Sequence, residues 1–203
     1  MMEGYLYYLA AWLSWVYLVF LAGSRLRSMK GLQAAILLSI IASPIHFQAG
    51  DSRVFLGGIS IFLYSLIHIV RENGKEKAYF IVCSFTMSLL YCSISFFELF
   101  DPVVFIIKKE WFLASVLALL VPILYGPLKW RLLVAVIGMV QGEILYALVL
   151  QKNSLPFEAG GFAFLDTMSL VAAVTVSWSV IERCSAWLGS SLKPIEKGRK
   201  SSR

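Results

Sequence analysis

Residues 132–150 read LLVAVIGMVQGEILYALVL, nineteen positions with one acid, Glu143, among them. The hydrocarbon core of a bilayer takes about 20 such residues per helix. In lipid the backbone must satisfy its own hydrogen bonds, so a run like this is a helix rather than an open strand. Lys129 and Arg131 precede the run and Lys152 follows it, which pins its ends at two water-facing levels.

Working outward, six further apolar runs share this character: Tyr5–Ala22, Leu32–Phe47, Val54–Val70, Tyr79–Phe97, Trp111–Leu128 and Phe162–Ile181. The second and third are short for a bilayer and would draw in flanking residues or thin the lipid locally. The joins hold Gly, Pro, Asn and charge, the chemistry of turns. Of the 203 residues, 59% are apolar and only 15% charged, too few polar groups to clothe a water-soluble domain of this size. The expected fold is an all-α, polytopic transmembrane bundle of about seven spans across residues 1–189. The polar, basic tail 190–203 is expected to be disordered.

Charge sets the expected orientation. With the N-terminus outside, the inward segments carry 14 of the 18 basic residues, and the outward ones carry only Arg53, Lys108, Lys109 and Lys152. The C-terminus is then cytoplasmic. Six spans would result if Leu32–Val70 dipped as one hairpin. The first apolar run is preceded by Glu3 and followed by Arg25, Arg27 and Lys30, the reverse of a cleaved signal peptide. Tyr5, Tyr7, Tyr8 and Trp111 fall at outer ends, and Trp130 and Trp187 at inner ends, as an aromatic belt requires. Trp12 and Trp15 lie mid-span and read as packing residues.

The net charge of +6 lies in short loop clusters and in the tail, so it points to anchoring and to anionic lipid at the tail, not to nucleic acid. Cys83 and Cys92 stand nine residues apart in one helical run, about 13 Å, and cannot form a disulfide. His46 and His68 end two adjacent spans at opposite faces, too far apart for one metal. No metal or cofactor is implied, and H-E-x-x-H, P-loop, G-x-S-x-G and G-x-G-x-x-G patterns are absent from the sequence.

Glu143 is the outstanding polar position, because a charge near mid-span costs about 2.5–3.5 kcal/mol on insertion scales. It must face the bundle interior or a wet cavity, as an ion, proton or substrate site or as an interhelical hydrogen-bonding group. Tyr146, at i+3, can share its pocket. Gln141 lies about 200° around the helix and faces a different neighbour. Gly138 and Gly142 form G-x-x-x-G, which admits close approach of another helix. Candidate partners for Glu143 are Thr167, Ser169, Thr175, Ser177 and Ser179 of the last span, with Asp166 near the outer mouth. Pro44 and Pro122 are expected to break helical ladders. Val103–Ile107, too short to span, is expected at the outer interface.

The run Glu3-Gly4-Tyr5-Leu6-Tyr7-Tyr8, followed by Trp12, Trp15 and Tyr17, resembles the opening of the YphA-type family of small Bacillus-group membrane proteins. The resemblance is strongest over about the first 25 residues, and the length, span count and basic tail agree with it. It implies a bacterial membrane location and assigns no role to Glu143 or any other residue. The function expected from the sequence is a non-enzymatic structural or accessory component of the bacterial cytoplasmic membrane, working through a membrane-protein partner or a second copy of itself. The competing expectation is a small transporter or channel using Glu143.

Overall fold

The computed structural model describes residues 3–21, 30–49, 52–70, 74–101, 108–153, 155 and 157–200, with side chains omitted at 49, 52, 74, 75 and from 189 onward. Among the described residues there are seven α-helices: α1 Tyr5–Val16, continued by a π turn Tyr17–Leu21; α2 Lys30–Ala42; α3 Gly57–Val70; α4 Gly74–Phe100; α5 Lys109–Leu124; α6 Leu128–Lys152; and α7 Phe162–Lys200. Glu76–Phe100, Leu128–Lys152 and Phe162–Leu188 are long and apolar enough to cross a membrane. The helices of Tyr5–Leu21, Lys30–Ala42 and Gly57–Val70 are apolar but shorter. Hydropathy ends the last span at Ile181, with a tail from 190, whereas the helical backbone of α7 continues to Lys200. The interfacial expectation for Val103–Ile107 falls outside the described residues.

A small sheet is the departure from an all-helical reading. Strand β1 (His46–Ala49) pairs antiparallel with β2 (Ser52–Phe55), and β2 pairs in parallel with β3 (Glu158–Ala159). Its cause is local. Pro44 has no N–H to continue α2 and fixes its own φ, so the helix ends at Ala42. The alternating segments His46-Phe47-Gln48-Ala49 and Ser52-Arg53-Val54-Phe55 then pair antiparallel, His46 opposite Phe55 and Ala49 opposite Ser52. His46 and Phe47 therefore leave the second expected span and Val54 and Phe55 leave the third. That leaves α2 and α3 at 13 and 14 residues, about 20 Å each.

Successive helices alternate in direction. One end of the bundle gathers Gly4 with Phe162, Ser43 with Gly57, and Phe96 with Tyr146. The other gathers Phe80, Tyr125 and Trp130, and Arg131 with Glu182. α6 lies at the centre and packs most extensively on α4, with α3, α5 and α7 also against it. The main core runs through Met87, Leu117, Val121, Val134, Ile137, Met139, Leu165 and Val171, all essentially buried. Large apolar side chains elsewhere face outward, among them Phe20, Ile41, Val70, Ile81 and Ile123. That surface suits a lipid solvent, because single exposed apolar groups need no further burial there.

Candidate functional site

Gly138 and Gly142 set the α4–α6 distance. A Cβ on Gly138 would lie 2.4 Å from Met87 Cβ and 2.9 Å from the Ser84 carbonyl oxygen, and one on Gly142 would lie 2.9 Å from the Ser88 carbonyl oxygen and 2.8 Å from the Tyr91 ring. With no side chain at either position, α6 rests directly on the α4 backbone. The facing stripe of α4 is polar: Ser84, Ser88, Tyr91 and Ser95 recur at i, i+4, i+7 and i+11, and all four are buried.

Into this contact projects Glu143, only 7% exposed. Its Oε2 accepts a hydrogen bond from the Tyr91 hydroxyl at 2.6 Å, and its Oε1 accepts one from the Gly160 backbone N–H at 3.0 Å. The second bond explains how a carboxyl this far along α6 is tolerated. The connection after α6 does not climb away from the bundle; it doubles back along the helix. Leu155 N–H bonds to the Leu150 carbonyl, the Phe157 ring meets Tyr146 at 5.1 Å, and Gly160 reaches Glu143. Non-helical backbone at such a level leaves N–H groups without ladder partners, and each must be satisfied inside the protein. β3 satisfies part of this stretch through β2, and Glu143 takes the turn that follows. Gly160 has φ +69°, a left-handed conformation that glycine adopts without steric cost.

The last helix does not supply the partners expected of it. Thr167 bonds back to the Ala163 carbonyl, and Ser179 receives an N–H from Arg131. Thr175 is fully buried with no hydrogen-bond partner among the described residues. Tyr146 shares the neighbourhood of Glu143 without bonding to it; its ring is clamped edge-on by Phe96 and Phe157, and the Lys109 ammonium lies 5.7 Å from its centroid. Lys109 in turn pairs with Glu98 at 2.6 Å, joining the C-terminal end of α4 to the start of α5. The Gln141 side-chain oxygen is buried without a partner among the described residues, away from Glu143. Tyr91 is the residue the sequence reading missed. Its signal was available in the four-position polar stripe of the fourth span.

Two further polar knots hold the ends. Asp166 of α7 accepts the N–H groups of Gly4 and Tyr7, each at 2.8 Å, and so caps α1 from another helix. The carboxylate meets the otherwise unpaired amides and the positive end of the helix dipole. It faces the start of α1 and not an open mouth. Tyr7 and Tyr8, expected in an aromatic belt, are tied inward instead. Ser39 uses its one proton on the Gly57 carbonyl, so the Tyr7 hydroxyl donates to Ser39 at 2.5 Å; Tyr8 donates likewise to Ser43 at 2.7 Å. Trp12, read as a packing residue, is 48% exposed and meets Trp15 edge-on.

At the opposite end, Arg131 is buried and fully engaged. It donates to the Tyr125 carbonyl at 2.7 Å, to Ser179 at 3.0 Å and to both oxygens of Glu182 at 2.6 and 3.3 Å. Glu182 also accepts a hydrogen bond from the Trp178 indole N–H at 2.7 Å. Arg131 was read as a loop anchor; it is an interhelical clasp between α6 and α7. α5 runs through Pro122 and ends two residues later, with no polar pocket described there. The His46 ring lies tilted against Phe55 at 5.2 Å and His68 meets Tyr64 edge-on, at opposite ends of the α2–α3 pair. Among the described residues no group of three or more His, Cys, Asp or Glu could hold a metal ion. Cys83 and Cys92 are buried free thiols.

Comparison with known proteins places this architecture. The family model of YphA-like integral membrane proteins matches residues 3–201. A relative in Bacillus subtilis (strain 168), bearing the description "Uncharacterized protein YphA", is 29% identical over 197 residues, 97% of this chain and 98% of its own length. No solved structure matches. With its apolar helices, its Gly-mediated α4–α6 contact and a match over nearly its whole length, the chain belongs to the YphA-like family of integral membrane proteins.

Proposed function

We propose that this chain is a non-enzymatic, multi-pass protein of the bacterial cytoplasmic membrane, acting through helix contacts as a structural or accessory component. Its buried polar groups are then structural ties. The observation that carries this reading is the engagement of both Glu143 oxygens by Tyr91 and Gly160 in a site where the residue is 7% exposed. A carboxyl that binds and releases an ion in turnover needs a free coordination position, whereas one that completes backbone hydrogen bonding does not. The proposed topology has seven spans, with the N-terminus outside and the basic tail at the anionic cytoplasmic leaflet. The alternating helix directions and the gathering of Lys77, Lys129, Arg131 and Arg183 toward one end of the bundle support it.

The competing reading, a small transporter or channel, assigns Glu143 a proton or cation. Proteoliposomes with an internal pH dye separate the two. Wild type and Glu143→Gln should show the same background leak under an imposed potential. A proton-coupled flux in wild type that Glu143→Gln abolishes would overturn the structural reading.

A further inference from the structure

A groove of about 420 Å³ opens at the basic end of the bundle, between the end of α3 and the start of α4 and closed by the α5–α6 connection. Its walls include Ile69, Glu76, Lys77, Phe80, Tyr125 and Trp130. The aromatic floor is interlocked. Tyr125 stacks on Trp130 at 6.0 Å, Phe80 meets Trp130 at 6.0 Å, and the Tyr79 hydroxyl holds the connection by donating to the Leu124 carbonyl at 2.8 Å. Two cations flank this floor: Lys77 lines the groove, and the Lys129 ammonium sits 5.2 Å from the Trp130 ring centroid. One acid, Glu76, lines it as well.

We propose that this groove binds one anionic phospholipid with a hydroxyl-bearing headgroup, of the phosphatidylglycerol kind, in the leaflet next to the basic loops. The chemistry matches part by part. Tyr and Trp rings suit the headgroup level, where one edge is apolar and the other wet. The two lysines supply point charges for a phosphate. Glu76 accepts a hydroxyl of the headgroup and repels a second phosphate. Ile69 continues the wall away from the aromatic floor and receives the glycerol end of an acyl chain. The volume lies in the roughly 300–1,000 Å³ range of ligand sites. This site is separate from the attraction expected of the tail, and it rests on residues other than Glu143 and its partners.

The test uses the full chain in nanodiscs with a photoactivatable phosphatidylglycerol, and a phosphatidylethanolamine probe of the same acyl chains as the comparison. Labelled peptides are mapped by mass spectrometry in wild type and in the Lys77→Gln/Lys129→Gln double variant, whose changes lie at the surface. The expected result is labelling concentrated at residues 69–80 and 125–130, stronger for phosphatidylglycerol, and reduced at least tenfold in the double variant. Labelling confined to the tail, spread evenly over the exposed helices, equal for the two lipids, or unchanged in the double variant would overturn the proposal.

Discussion

The Oε1 atom of Glu143 lies 3.0 Å from the backbone nitrogen of Gly160, a residue that follows the end of α6 in sequence yet returns to the level of its inner turns. The acid and the re-entering connection therefore account for each other: the connection brings an unpaired N–H to depth, and Glu143 meets it. Removing the carboxyl leaves both that N–H and the Tyr91 hydroxyl buried without partners, at about 1–3 kcal/mol each. Glu143→Ala is therefore expected to lower stability by about 2–6 kcal/mol. Glu143→Gln is expected to stay within about 1 kcal/mol of wild type, because its amide oxygen still accepts from Gly160 and its NH₂ donates to a Tyr91 hydroxyl that turns to accept. Thermal unfolding of the three proteins in one detergent checks the order.

The α4–α6 contact makes an independent prediction. Gly138→Ala places a methyl 2.4 Å from Met87 Cβ, an atom fixed to the backbone that no rotamer change can move. The helices must separate, and overpacking of this kind costs about 1–3 kcal/mol or more. Gly126→Ala, where a Cβ meets nothing within 4 Å, is the control and should be near neutral. Retention on size-exclusion chromatography after graded heating compares the two variants directly.

The proposed topology is checked by thiol labelling. Cys83 and Cys92 are buried, whereas Cys184 is exposed and serves as a native reporter for the C-terminal end of α7. In intact cells a membrane-impermeant maleimide should leave Cys184 and a Lys129→Cys variant unmodified and should modify Arg53→Cys and Lys152→Cys in a Cys184→Ser background. Modification of Cys184 from outside would invert the bundle.

Much of this architecture could be read from the residues. The seven apolar runs became seven helices because length and hydropathy alone decide a helix in lipid. The close approach at Gly138 and Gly142 was written in their spacing. The small sheet was not legible, because its four-residue strands are too short for a period of two to register and their His46-Phe47 and Val54-Phe55 ends run on from the apolar stretches of α2 and α3. The partners of Glu143 were hidden for a different reason. Its i+3 and i+4 neighbours follow from helical geometry, but Tyr91 lies 52 positions away and Gly160 acts through its backbone, which no side-chain pattern reveals. Arg131 followed the same logic: a basic residue next to a span reads as an anchor until Glu182 and Ser179 converge on it. Long-range polar pairing depends on which helices touch, and hydropathy does not encode that.

Amide hydrogen exchange at Gly160, read by fragment-resolved mass spectrometry in nanodiscs, tests the central claim most directly. Wild type and Glu143→Gln should both protect this amide strongly, and Glu143→Ala should release it while α6 itself stays protected. Rapid exchange at Gly160 in wild type, or protection unchanged in Glu143→Ala, would contradict the account of Glu143 as the partner of the re-entering backbone.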